Sequence, residues 1–552
     1  MTAPAAEALR RRYAAAEKDR MDREAHWHEL LNFVAPSKLT YEESLKGGSE
    51  GTADSRERRL FDSTAPESLV LFQSFLFSDV FVGGNATAES LTFEPLSDDG
   101  SADTALMQNY EVQGYLDHLA RQCRTALWAG EINAVAAIQD ACSDLGWCGT
   151  AVYAALENTH QFRRAEYPII FKRYSPFQAA GEVGPDGTTS AFYIKEELTL
   201  RQARMRWPEH DFKGQGEETR EFVFSVCDST DPETEAMFGA KALAMDLPWA
   251  GGWFDLTKGE RIQDFAYPEQ PIFMPRWLTA KAQPTGVWGR GPASVALADI
   301  AGINALEDST QRMVEKLVDP PMAVPDGQLI GPLRLYAGGL NYYDGERPPE
   351  PLLSAGSSRI EVAFEKLAAK QDAVRRAFMV HLMATPEKSG NPRTATEINQ
   401  QEDWRNRAAA PMALRIAMEG YAPLVRRVLG LLARAGRLRP APEVLRGRRL
   451  RPKFNSPVLA SQAAMDAVGT MRLFESLAPW AQADATIIDN VDPDKVYSIL
   501  RKGSGAPSMI SRSPAAVKAR RDERQEAAQA QAAQQQMVAG AEAAASLKAA
   551  GQ

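Results

Sequence analysis

The sequence predicts an α+β chain that is mainly helical and built from several parts. Three observations carry that prediction. Apolar residues recur at three- and four-residue spacing through long stretches on both sides of the chain's centre. Between Thr150 and about Tyr267 the period shifts towards strands. Between two strong helices, the segment Asp319–Ser357 carries seven prolines, which exclude a long helix there. The 552 residues leave room for two to four domains and a sizeable core.

Residues 5–34 read as a helix that ends near Pro36, and Thr40–Arg58 as a polar loop or arm. Thr64 and Glu67, with Pro66 between them, have the spacing of a capping box at a second helix. Its Leu69, Phe72, Phe75 and Leu76 form a stripe expected to be buried. Tyr110–Ala129 and Glu131–Leu145 are further helices, the first with Leu116, Leu119, Cys123 and Leu127 on its apolar face. Strands are expected at Ala151–Leu156, Ile169–Tyr174, Phe192–Glu197 and Phe222–Val226, with a turn at Gly184–Gly187 and a short helix at Leu200–Trp207.

Ala293–Val318 is a strong helix with a seam of Ile300, Ile303, Leu306, Met313 and Leu317. After the proline-rich insertion, read as a small extended or β subdomain, Ser358 and Glu361 cap another helix. Its expected inner face is Ile360, Phe364, Leu367, Val374, Phe378 and Leu382. A short loop with Pro386, Gly390, Asn391 and Pro392 follows, and Thr394 and Glu397 then cap a long helix. Continuous from Ala395 to Ala435, that helix would span roughly 60 Å. Pro411 and the pair Gly420 and Pro423 are expected to kink it. Arg437–Arg451 is basic, Leu459–Leu500 is helical with a break at Pro479, and Asp492–Pro493–Asp494 opens its last helix. Gly503–Ser513 reads as a linker. The Ala/Gln-rich residues 514–552 favour helix but hold few residues able to build a core.

Composition narrows the chemistry. A net charge of −9 argues against a protein that grips DNA statically, since phosphate contacts supply most of that affinity. Four cysteines without a CxxC pair make no disulfide framework for this length. No apolar signal core opens the chain, and Leu69–Val82 is too short to span a bilayer and contains Asp79, so an intracellular product without membrane contact is expected. No P-loop is present. Gly289–Arg290–Gly291 begins like a dinucleotide fingerprint, but Pro292 lacks the N–H that a phosphate cradle uses and position 294 is Ser. His26 and His28 stand two apart and do not face one point on a helix, and Asn32 occupies the place of the second histidine of HExxH. No GxSxG elbow appears, and Asp62 and Asp144 fit arginine pairing as well as catalysis. The expectation is no enzyme, no cofactor and no metal. The arginines 437, 439, 446, 448, 449 and 451 fit either a salt-bridging face or contact with DNA phosphate.

An ordered set of short motifs is similar to the podovirus-type portal proteins, the head-to-tail connectors. It runs from Asp62–Ser63–Thr64 through Glu182–Gly187, Leu198–Gln202, Trp288–Pro292, Ala296–Ile300 with Asn304, Asp319–Pro321 and Thr394–Ile398 to Phe454–Ala460 with Gln462. The resemblance implies a homododecameric ring at one capsid vertex of a virion, assembled in the host cytoplasm, around a channel for double-stranded DNA. It implies the portal fold of wing, stem, clip and crown. Residues 1–292 would be the wing, 293–318 and 358–384 the stem helices, and 319–357 the clip. The clip, with Asp319, Pro320, Pro321, Pro325, Tyr342, Tyr343 and Arg347, would dock the terminase large subunit and later a tail adaptor protein. Residues 385–393 would be the tunnel loop, its Lys388, Ser389, Gly390, Asn391 and Arg393 facing DNA. The kinked wing helix would cover 394–436, the crown 437–505, and 506–552 a tail or barrel helix. Capsid and scaffold proteins would be further partners. Duplex DNA carries one charge per ~1.7 Å, so an acidic conduit with few basic loop residues would let it slide. On the residues alone, an enzyme with its site in the α+β region, or another virion structural protein such as an adaptor, stays open.

Overall fold

The computed structural model describes residues 3–39, 60–78, 91–128 (save 98, 102 and 108), 133–158, 168–238, 247–279, 286–318, 357–383, 411–454, 467–477, 479, 491–503, 511–512 and 516–531, with 322–323, 329–330, 342–344 and 350–351 of the insertion. In chain order the main elements are α1 (Ala3–Val34), α2 (Thr64–Phe75), β1 (Leu91–Pro95), α3 (Tyr110–Trp128), α4 (Ala134–Trp147), β2 (Val152–Glu157), β3 (Ile169–Tyr174), β4 (Ala179–Val183), β5 (Thr189–Thr199), α5 (Leu200–Arg206), β6 (Thr219–Asp228), α6 (Pro232–Phe238), β7 (Trp249–Asp255), β8 (Glu260–Tyr267), β9 (Ile272–Phe273), α7 (Pro292–Val318), α8 (Ser357–Ala377), α9 (Ala422–Arg434), β10 (Leu450–Phe454) and α10 (Pro493–Gly503). Chain contacts divide it into two compact units, Met1–Gly84 with Ala126–Ala435, and Asn85–Thr125 with Gly436–Gln552. Residues 85–125 of the segment expected as 1–292 thus group with residues 436–552.

The first unit is organised by an antiparallel sheet of order β4-β5-β6-β7-β8. Strand β6 shows why both faces are covered. Its Val223 and Cys227 join Leu9, Tyr13 and Ala16 of α1 in one buried cluster. Its Phe222 and Phe224 point the other way, to Trp207 and Trp253 respectively, with ring centroids 5.3 and 4.9 Å apart. Side chains alternate across a strand, so a strand buried on both faces reads as a nearly continuous apolar run, here Phe222–Cys227 with Ser225 as its one polar residue. Strands β7 and β8 have no such signature. Gly251 and Gly252 dilute the first, and they are needed: a Cβ there would come 3.0 Å from the Ser225 oxygen and 2.7 Å from the Gln263 oxygen. A second sheet, β3-β2-β9, carries α4 on it. Trp27 of α1 meets Trp147, Phe177 and Trp288 edge-on at 6.2, 5.5 and 4.8 Å. Such aromatic packing buries large area in a defined geometry.

The α2 stripe is buried as expected: Leu69, Phe72, Phe75 and Leu76 are all at most 6% exposed. Its cap differs from the expected Thr64–Glu67 box. Thr64 is already helical, the Asp62 carboxylate accepts from its N–H, and the Ser63 hydroxyl donates to Glu67. A full capping box forms instead at Thr199 and Gln202, at the start of α5.

Helices α7 and α8 pack together. The α7 seam is buried at Ile300 and Ile303, yet Met313 is exposed. On α8, Leu367 and Val374 are buried, as is Phe378 just past its end, while Phe364 is 49% exposed. Both exposed positions fall on the half of the pair nearer the insertion. The expected continuous helix 358–384 is also broken. It ends at Ala377, Met379 takes a left-handed φ of 59°, and helix resumes at Val380–Met383. Phe378 packs edge-on against Phe72 at this turn. In the insertion, Met322–Ala323 pairs with Glu350–Pro351 and Leu329–Ile330 with Tyr342–Tyr343, both antiparallel.

In the second unit, β1 pairs antiparallel with β10, Leu91 opposite Phe454 and Pro95 opposite Leu450. Helix α10 starts where Asp492–Pro493–Asp494 indicated, the Asp492 carboxylate accepting from the N–H of Asp494 and Lys495. Arg521 forks onto Asp494 at 3.0 and 2.6 Å.

Candidate functional site

The long helix is irregular where Gly420 and Pro423 stand. Residues 411–416 are helical, Ala417–Tyr421 form a π turn, and α9 follows with Pro423 in its first turn. The Ala422 N–H reaches back five residues to the Ala417 oxygen. Proline has no N–H to continue an ordinary ladder, and a π turn inserts one residue where the ladder changes phase. Close packing requires the glycine: a Cβ on Gly420 would lie 2.5 Å from the Tyr153 hydroxyl and 3.0 Å from Pro275.

A buried arginine clamps the turn. The Glu419 carboxylate accepts from the Arg276 N–H at 3.0 Å, from its Nε at 3.1 Å and from its Nη2 at 2.7 Å. The same guanidinium donates to the oxygens of Gly286 and Gly187, both at 3.2 Å. About two turns on, Arg427 is fully buried and donates to the Ala155 oxygen at 3.3 Å and to Glu269 at 3.1 Å. Burial lowers its pKa, and Glu269 and Glu157 oppose that shift. Arg434 forks onto Glu269 with two bonds of 2.9 Å. Arg276, Glu419, Arg427 and Glu269 are functional-site residues that no sequence motif singled out. A signal existed for one of them: Arg427 falls on the stripe of Leu424, Val428 and Leu431, where an unpaired charge would be costly.

The root of the α7–α8 pair is tied by the Asp62–Ser63–Thr64 motif. Asp62 accepts from Gln371 of α8 at 2.7 Å, and Asn304 of α7 accepts from the Phe61 N–H at 3.1 Å. Lys370 bridges to Asp299 at 2.9 Å. The Trp288–Pro292 motif is a backbone crossing. A Cβ on Gly289 would meet the Gly149 oxygen at 2.2 Å, and one on Gly291 the Gly146 oxygen at 2.5 Å. Its glycines let two backbone segments touch, the use that replaces the phosphate cradle.

Among the described residues Asp144 is the most buried carboxylate with converging cations. Arg173 forks onto it with two bonds of 2.8 Å, Trp147 donates at 3.0 Å, and Lys38 lies at 3.4 Å. Burial opposes its ionisation, but Arg173 and then Lys38 outweigh burial and hold it below the usual carboxylate range. Its oxygens are occupied by structural partners. A cavity of about 580 Å³ lies beside it, lined by Val34, Lys38, Phe61, Asp62, Leu69 and Ser143 among others. Among the described residues no group of three or more His, Cys, Asp or Glu could hold a metal, and no helix is long and apolar enough to cross a membrane.

The other singled-out residues are placed as follows. Lys388, Ser389, Gly390, Asn391 and Arg393 lie outside the described residues, as do Asp319, Pro320, Pro321, Pro325 and Arg347. Tyr342 and Tyr343 form a strand, with Tyr342 64% exposed. Pro411 is the first described residue of the helical run. Arg437, Arg446, Arg448, Arg449 and Arg451 are all exposed. Arg451 and Lys453 reach Glu94 across the β1–β10 pair at 3.3 and 2.8 Å.

Comparison with known proteins places these features. The family model for the bacteriophage head to tail connecting protein matches residues 6–511. A "Portal protein" of Salmonella phage epsilon15 is 21% identical over 541 residues, covering 96% of this chain and 92% of that protein. Among solved structures, a chain from the virion of a native gene transfer agent particle is 14% identical, with a TM-score of 0.32 over 74% of this chain and 89% of that one. A chain from the neck of an empty gene transfer agent particle is 15% identical, with a TM-score of 0.34 over 75% and 87%. Neither structural match is close enough to carry weight.

Proposed function

Because this chain belongs to the bacteriophage head to tail connecting proteins, a structural and non-enzymatic family, and has a portal's role at the capsid vertex, we propose that it works as a ring-shaped conduit for the genome. Twelve copies surround double-stranded DNA during packaging and later ejection. The match across residues 6–511 carries the reading. Three features support it. The helices α7 and α8 bracket a short-stranded insertion, the layout of stem and clip. Apolar side chains on that pair stay uncovered in one chain, with Val362 62% and Phe364 49% exposed. The chain is acidic, with a net charge of −9, and so suits passage of DNA better than retention.

The insertion 319–357 then serves as clip, docking the terminase large subunit and later a tail adaptor protein. Residues 385–393 serve as tunnel loop at the channel, 293–318 and 358–384 as stem, 394–436 as kinked wing helix and 437–505 as crown. Capsid and scaffold proteins contact the outer surface as the particle assembles in the host cytoplasm. The helix clamped by Arg276 and Glu419 follows the loop in sequence and packs on β2, so it would hold the channel wall to the outer part. Native mass spectrometry and negative-stain imaging of purified protein test this. Rings are expected. A chain that stays monomeric at all concentrations, with or without its scaffold, would overturn the reading.

A further inference from the structure

The segment 437–449 carries five arginines (437, 439, 446, 448 and 449) against one acid, Glu443, a local balance of +4 in a chain of −9. Its backbone is fixed: Leu445 is buried, residues 443–445 form a 3-10 turn, and Gly447 takes a φ of 77°. That anchoring leaves all five arginines exposed. The structure also divides the basic run. Arg451 and Lys453 both pair with Glu94, whereas Arg446 has, among the described residues, only the weak, exposed contact with Glu443 at 3.7 Å. A second element adds to the field. His118 of α3 has its pKa lowered by burial and by the charges of Arg439 and Arg121, so those three groups are neighbours. The buried Nε2 of His118 has no hydrogen-bond partner among the described residues.

We propose that Arg439, Arg446 and Arg449, with Arg121 across His118 from Arg439, form a contact surface for the sugar–phosphate backbone of duplex DNA. The assignment rests on the conduit reading above, because it presumes that DNA comes within reach of this unit. Guanidinium forks match phosphate oxygens in charge and shape. Residues 437–449 contain no aromatic side chain on which a base could stack, so the surface holds backbone without reading sequence. An acidic protein is the competing occupant, but the cores of protein interfaces use aromatic and aliphatic anchors. The segment offers only Val444 as an exposed large apolar side chain.

The test measures binding of a labelled, mixed-sequence DNA duplex to the full-length chain across salt, with polyglutamate as a second probe. Assembly is read separately by native mass spectrometry. Wild-type protein should bind duplex in a salt-dependent way. The triple variant Arg439→Gln, Arg446→Gln, Arg449→Gln should lower the salt slope by about 0.9 per lost phosphate contact. With all three engaged, the affinity lost between about 50 and about 200 mM salt shrinks by about 40-fold. Arg451→Gln should leave DNA binding unchanged, since Glu94 already holds that side chain. The proposal falls if the triple variant binds as the wild type does, if Arg451→Gln costs as much as the triple change, or if wild type prefers polyglutamate to duplex. Rings that form normally while any of these occurs overturn the DNA surface alone. A chain that forms no ring yet shows the expected pattern overturns the ring and leaves the surface standing.

Discussion

At the scale of residues, buried charges and glycines carry the strongest constraints. Asp144 is fully buried and faces Arg173 and Lys38. Asp144→Asn keeps the shape but removes the counter-charge, and should cost about 3–5 kcal/mol of stability. Thermal or denaturant unfolding checks it. The pH dependence has a definite sign. The folded-state pKa of Asp144 is depressed, so its contribution is complete above the unfolded value of about 4. It is lost as pH falls from there through the folded pKa, and the asparagine variant should lose that part of the acid sensitivity. Gly291→Ala places a methyl 2.5 Å from the Gly146 oxygen, where backbone cannot yield easily. A loss of at least about 1–3 kcal/mol is expected, measured in the same unfolding curves. These roles were only partly legible. Asp144 could be guessed to pair with arginine, but Arg173 is a strand residue 29 positions away and no spacing rule connects them.

At the scale of elements, the π turn makes the sharpest claim. Glu419→Ala removes three hydrogen bonds and leaves the Arg276 guanidinium, 8% exposed, short of a counter-charge. The expected cost is about 2–5 kcal/mol, with faster hydrogen exchange in 417–434 than elsewhere. Unchanged exchange there would mean that the clamp does not hold the helix. The sequence marked the irregularity through Gly420 and Pro423, because those residue types act on the local ladder. It could not supply the partner, since Arg276 lies 143 residues away. Helices with buried stripes, such as α2, were readable for the same local reason. Strands β7 and β8 were not, because Gly251 and Gly252 interrupt one and the other shows mixed exposure along its length. The break at Met379 had no sequence sign: methionine is a good helix former, and tertiary packing of Phe378 overrides that preference.

For the whole molecule, the exposed apolar side chains of α7 and α8 give the next prediction. Phe364→Glu lies where a single chain leaves the side chain half in water. It should leave the unfolding of the isolated chain within about 0.5 kcal/mol, as surface changes do, yet shift native mass from rings towards smaller species. A variant that still forms complete rings at wild-type concentration would place the subunit contact elsewhere. Motifs of the family were legible in the sequence as an ordered set. Their physical jobs, a knot at Asp62 and a backbone crossing at Gly289–Gly291, became visible only in three dimensions.

The pairing of β1 with β10 has a consequence in time. Arg451 and its partner Glu94 are 357 positions apart in the chain. A ribosome adding about 5–20 residues per second needs roughly 20–70 s to deliver the second strand after the first has emerged. Throughout that interval Leu91 and Phe93, fully covered in the finished protein, wait without their neighbour. Each newborn chain must therefore be kept from its siblings for most of a minute before it is fit to join them.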